Sequence, residues 1–350
     1  MARSLIGAPR HMSHSITRSA LRRARRRADY ARANPSMPNG KMTVRTKGHC
    51  GSAAHRVIRL ENPRMHADIL PDFGAKIWSL VDKATGTEWI WRNPHVGLQR
   101  PHESAGYDDH WSGGWEELFP NDAECSFQGR RLPDHGEWWS RAWDCEETER
   151  CAQMTLRTAS VPAYCEKTVS MDPEAARMDI RYRIRNLDDK PLRFLFKQHL
   201  PIAVTPHHRL ELPGGTVLPI EEGFGTRIVS GGGFTWPLAP GPEGRRVNLE
   251  ELPSPEHKHR DFLCVRDLPA GWCGVRDSRT GRRIRLHFPL HVFPFTWLFM
   301  TFGGWRDLYT VVLEPCTNMP KDLGAALKNG TCAELLPGGT LECQVSVELS

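Results

Sequence analysis

The 350-residue chain has no run of eighteen apolar residues, so nothing in it is long and greasy enough to cross a bilayer as a helix. No two of its ten cysteines stand in CxxC spacing, which argues against a zinc ribbon or a thioredoxin-like site. GxSxG, HExxH, the P-loop and the dinucleotide glycine fingerprint are all missing. Covalent-serine, zinc-hydrolase and nucleotide chemistry therefore lack their usual sequence support. Long helical runs are scarce as well, because 30 glycines and 27 prolines are spread along the chain. With scattered thiols and no apolar signal core, the expectation is reduced cysteines and a cytoplasmic protein.

Charge is also missing where the total suggests it. The formal net charge is +6, yet residues 1–34 hold nine arginines and one acid, Asp29, a net of +8. The remaining chain is left with −2, which gives no reason to expect a nucleic-acid partner. Residues 1–50 read as a basic, disordered extension that cannot bury enough apolar surface to order itself. A start at Met37 or Met42 would remove most of it.

What the sequence does have is strands. "HRVIRLEN", "RMDIRYRIRNLDD", "LRFLFKQHLPIAV" and "ECQVSVELS" alternate in polarity and are divided by turn signals such as "KATGT", "NLDDK" and "PGGT". The one helix candidate of note is Asp322–Lys328. Strands every ten to fifteen residues imply an all-β fold, a single large antiparallel β-sandwich over residues 55–350. The Pro/Gly-rich stretch Thr235–Arg260 reads as a surface excursion beside the site.

Four segments concentrate chemistry. "LPDHGEWWSRAWD", Leu132–Asp144, read with period two, puts His135, Glu137, Trp139, Arg141 and Trp143 on one face. Flat indoles beside hydrogen-bonding groups suit a sugar ring, although a solvated strand with half-buried aromatics explains them equally. "GGWEELFPND" holds Glu116 and Glu117, which a solvated turn would also explain. In "RFLFKQHLPIAV", Lys197 and His199 share a face opposite Phe194, Phe196 and Gln198. In "TVVLEPCTNMP" an apolar strand ends on Glu314, and a carboxylate there needs a partner because burying it alone costs several kcal/mol.

Taken in order, these motifs resemble the aldose 1-epimerase (galactose mutarotase-like) family. The similarity rests on "FGAKIWSLVDKATGTEWIW", "GGWEELFPND" with "LPDHGEWWSRAW", "FKQHLPIAV", and "LEPCTNMPKDLGAALKNGTCAELLPGGTLECQVSVEL". It implies a β-supersandwich and acid–base ring opening, with Glu314 as base, His199 as acid and His135 orienting the sugar. Beside that transfer, Arg141, Trp139, Glu137, Lys197 and Glu116 are the candidate substrate contacts, with Asp261 a further one. The galactose mutarotase pattern after the second histidine is aromatic-rich, whereas this chain reads "HLPIAV".

Three functions remain open at this point. One is an aldose 1-epimerase-like enzyme, and another is a non-catalytic carbohydrate binder on the same scaffold. The last is a lyase or epimerase acting on a modified sugar, with His135, Glu137 and His199 as a conceivable metal set. The leading reading needs no metal or other cofactor. Its expected partner is a small carbohydrate, without nucleic acid or membrane, and the expected assembly is a monomer or homodimer.

Overall fold

A computed structural model describes residues 43–47, 55–102, 105–229 and 231–350. The expected disorder of residues 1–50 falls outside the described residues except at Thr43–Lys47, which form a strand.

Alternation in the sequence becomes alternation in burial. Along Arg177–Asn186, Met178, Ile180, Tyr182 and Ile184 are buried while Arg181, Arg183 and Arg185 are exposed. Its neighbour Ala163–Met171 buries Ala163, Cys165, Lys167, Val169 and Met171. A period of two places these sets on opposite faces of the pleat, so one face must pack against a second layer.

That layer is another antiparallel sheet, and the fold is a large antiparallel β-supersandwich. An eight-stranded sheet runs in the order His208–Glu211, Trp272–Asp277, Arg283–His287, Thr340–Leu349, Arg177–Asn186, Ala163–Met171, Cys151–Arg157, Asp144–Glu147. A seven-stranded sheet runs Phe234–Thr235, Thr216–Pro219, His259–Arg266, Phe295–Phe302, Tyr309–Cys316, Lys197–Ile202, Glu116–Leu118. A five-stranded sheet, Thr43–Lys47 to Thr87–Glu88, precedes them in the chain. Trp115, Trp138 and Trp297 are fully buried within the core.

Polar groups also cross the core. Lys167 donates to both oxygens of Glu117 at 2.8 Å and to the carbonyl of Ala75 at 2.9 Å. The Tyr182 hydroxyl donates to Glu117 at 2.5 Å, so this carboxylate is shared by both large sheets. Both partners of the pair are completely buried, and Glu116 beside it is too. "GGWEELFPND" is therefore no solvated turn.

Two other expectations need correction. Leu132–Asp144 is not one continuous strand. His135 and Gly136 take positive φ, and Trp138–Ser140 form a 3-10 turn. Glycine is required at the bend, since a Cβ at Gly136 would lie 2.2 Å from the Phe119 carbonyl oxygen. The chain must bend sharply where it passes the end of Glu116–Leu118. The Thr235–Arg260 segment is not merely a surface excursion either, because Trp236, Ala239, Leu249 and Leu252 are buried in the core. By contrast, the Leu323–Lys328 helix forms where expected, with the Asp322 carboxylate accepting from Ala325 N at its start.

Removing one member of the buried pair should be costly, because it strands the other charge in the core. Lys167→Met is expected to destabilise the fold by about 3–5 kcal/mol, read as a lower urea midpoint with an unchanged slope.

Candidate functional site

Three neighbouring strands of the seven-stranded sheet build the site. Lys197–Ile202 pairs with Glu116–Leu118 on one side (His199↔Glu116) and with Tyr309–Cys316 on the other (Lys197↔Cys316, Leu200↔Leu313). Period two sends Lys197 and His199 to the cavity face, while Phe196 and Gln198 enter the core. Glu314 joins them from the Tyr309–Cys316 strand.

The cavity is open to solvent, with about 620 Å³ of empty space when the solvent at its mouth is included. Aromatic walls come from Tyr107, Trp111, Phe224, Phe262, Phe299 and Trp305. Its polar lining comprises Asp108, Asp122, His135, Lys197, His199, Glu221, Glu314 and Lys321. Apolar faces around convergent donors and acceptors are what a ring with C–H faces and hydroxyl edges requires.

One cation organises the floor. Lys197 Nζ pairs with Asp122 Oδ2 and lies 2.6 Å from Glu314 Oε2. The same ammonium sits 4.4 Å from the ring centroid of Trp297. Burial opposes the Lys197 charge, but Asp122 and Glu314 outweigh it and raise its pKa. Burial likewise opposes the Asp122 charge, yet Lys197 and His135 hold its pKa below the usual range. For Glu314 burial prevails over Lys197, so that its pKa is raised. A carboxyl that binds a proton more readily than usual is suited to proton transfer near neutral pH.

The two histidines are pushed apart. His135 Nδ1 contacts Asp134 Oδ1 at 2.8 Å, and its ring stacks on Tyr107 at 4.1 Å between centroids. Burial acts against its charge, but Asp122 and Asp134 raise its pKa above the ordinary value. His199 is driven well below the ordinary value by burial first, then by Lys197, His135 and Lys76. It lies 3.1 Å from the Tyr107 hydroxyl, with Trp111 edge-on at 5.3 Å.

Glu314, His199, His135 and Lys197 of the expected residues come together around this cavity. Glu116 lies behind it, where Tyr107 donates to it at 2.5 Å and Lys76 pairs with it at 2.9 Å. Trp139 backs the site, packing edge-on against Tyr107 at 4.9 Å. The other three expected residues do not line the cavity. Glu137 is a structural acceptor for Ala159 N and for Ser160 N and Oγ, all at 2.5–2.8 Å. Asp261 is buried against Arg227 Nε at 2.5 Å. Arg141 follows the 3-10 turn, and its carbonyl accepts from Gly74 N. None of Thr235–Arg260 lines the cavity, but the end of that segment does lie beside it, with Arg260 Nε donating to the carbonyl of the lining residue Phe224 at 3.0 Å.

Tyr107, Asp108 and Trp111 join the site beyond the expected residues, although "YDDHW" has the same aromatic-and-acid density as the segment around His135. Asp122, at the end of "GGWEELFPND", joins it as well. Phe224, Trp305 and Lys321 gave no local signal, because separate loops bring them in.

The depressed pKa of His199 has a stability consequence. As pH falls below about 6.5, the unfolded chain binds a proton at this residue that the folded chain refuses. Its contribution is therefore lost toward acid, with a slope of up to about 1.4 kcal/mol per pH unit. His135 runs the other way, its contribution being complete below about 6.5 and lost as pH rises through its raised folded value. His199→Gln is expected to flatten the acid-side decline between pH 6.5 and 5, measured by urea unfolding across that range.

A family model described as a domain of unknown function, DUF5107, matches residues 41–123. No curated protein matches the sequence. Among solved structures, a galactose mutarotase related enzyme from Lactobacillus acidophilus is 14% identical with a TM-score of 0.62, over 84% of this chain and 97% of that one. A galactose mutarotase-like protein from Clostridium acetobutylicum is 12% identical with a TM-score of 0.64, over 88% and 99% respectively. Another, from Lactobacillus casei, is 18% identical with a TM-score of 0.56, over 84% and 100%. The chain thus has the galactose mutarotase-like fold along nearly its whole described length.

Proposed function

We propose that the protein is an aldose 1-epimerase-like enzyme that interconverts the α and β anomers of a small sugar. The observation that carries this reading is the convergence of Glu314, His199 and His135 on one aromatic-walled cavity. In the proposed step, Glu314 accepts the proton of the anomeric hydroxyl while a histidine gives a proton to the ring oxygen. The bond between C1 and the ring oxygen breaks and C1 becomes an aldehyde. Rotation about C1–C2 and the reverse transfers close the ring on the other face.

The lining carries Asp108, Asp122, Glu221 and Glu314 against Lys197 and Lys321, with His135 inclined to charge. That balance favours an uncharged sugar over a phosphorylated one. A cytoplasmic setting is part of the same proposal.

One observation favours a second reading, a carbohydrate binder without turnover. The 2.6 Å pair between Lys197 and Glu314 holds the proposed base in an ion pair that substrate must loosen.

Magnetisation exchange between anomers, followed by NMR on neutral, acidic and phosphorylated aldoses, separates the two. Accelerated exchange on a neutral aldose is expected, falling about 10²–10⁴-fold in Glu314→Gln. Binding of a sugar without acceleration would sink the enzyme reading and leave the binder.

A further inference from the structure

The cavity histidine His199 is the end of a buried chain, Lys76–Glu116–Tyr107–His199, and the direction of its hydrogen bonds can be worked out. All four side chains are buried. A tyrosine hydroxyl has one hydrogen to give. Tyr107 gives it to Glu116 Oε1 at 2.5 Å. The other oxygen, Glu116 Oε2, faces Lys76 Nζ at 2.9 Å. Burial and Glu116 also raise the Tyr107 pKa well above its ordinary value, so the hydroxyl keeps its proton. The Tyr107 oxygen then meets His199 Nδ1 at 3.1 Å with lone pairs only. For that contact to be a hydrogen bond, Nδ1 must be the donor.

We infer that Glu116 and Tyr107 are positioning residues that fix His199 as its Nδ1–H tautomer, so that Nε2 faces a bound molecule as an acceptor. The bulk of Tyr107 alone does not account for this, because packing has no preference between tautomers. If the proposed function is right, a further consequence rests on it. His199 orients a sugar hydroxyl, and the proton for the ring oxygen comes from His135, whose Nδ1 is held by Asp134. That reverses the roles that the family resemblance assigns to the two histidines.

The test is two-bond ¹H–¹⁵N correlation on the full-length protein with labelled histidines and no sugar present, at neutral pH. His199→Gln assigns the signals. The expected result is a protonated-type Nδ1 and an unprotonated-type Nε2 for His199. In Tyr107→Phe the Nε2 signal should move toward the protonated type while the remaining histidine signals show an intact fold. A protonated Nε2 in the unaltered protein would overturn the inference, and that measurement stands even if Tyr107→Phe fails to fold. So would an unchanged His199 pattern in a folded Tyr107→Phe. Because this readout needs no substrate, failure of anomer exchange counts against the proposed function alone, and a wrong tautomer counts against this inference alone.

Discussion

A single ammonium, on Lys197, sits between two carboxylates that would otherwise repel each other in a dry interior. Asp122 reaches it from the turn after Glu116–Leu118, and Glu314 from the neighbouring Tyr309–Cys316 strand. Neither acid could stay charged there alone, since burying an isolated carboxylate costs several kcal/mol. The turn bearing His135 is tied to the same point, for His135 N donates to the Asp122 carbonyl at 2.6 Å. Strand, turn and histidine thus converge on one cation.

From that cation the electrostatics of the site diverge. At His135 the acids Asp122 and Asp134 outweigh burial, while at His199 burial is reinforced by Lys197, His135 and Lys76. Two imidazoles on the same cavity therefore differ in charge preference without any difference in chemistry. Separating two like groups by environment is how a site holds a donor and an acceptor at one pH.

How much of this could be read from the sequence depended on the range of the cause. The alternation in "RMDIRYRIRN" needs only the pleat, so the strands and their buried faces were visible in the residues themselves. Lys197, His199 and Glu314 were visible for the same reason, as polar groups on otherwise apolar strands. The His135 segment misled because at its bend it packs against the Phe119 carbonyl, which accepts from Glu137 N at 2.9 Å, a contact that no local pattern records. Glu137 and Asp261 carry the right chemistry for a site, yet Ser160 and Arg227 consume it. Tyr107 was hidden because its importance lies in what it bridges, Glu116 and His199, on strands it does not belong to.

Glu116 and Glu117 are consecutive, chemically identical, and turned to opposite sides of one short strand. Glu117 meets Lys167 in the core, whereas Glu116 meets Lys76 and Tyr107 beneath the cavity. Hydrophobic patterning could not keep such a strand in register, because both faces present the same acid. A slip by one residue would put Glu117 at Lys76 and Leu118 at Lys167, or Glu116 at Lys167 and Trp115 at Lys76, so one lysine always loses its acid. The spacing of the two lysines thus acts as a key that only one alignment of the strand can turn. The alignment that satisfies the core is also the one that places an acceptor under Tyr107.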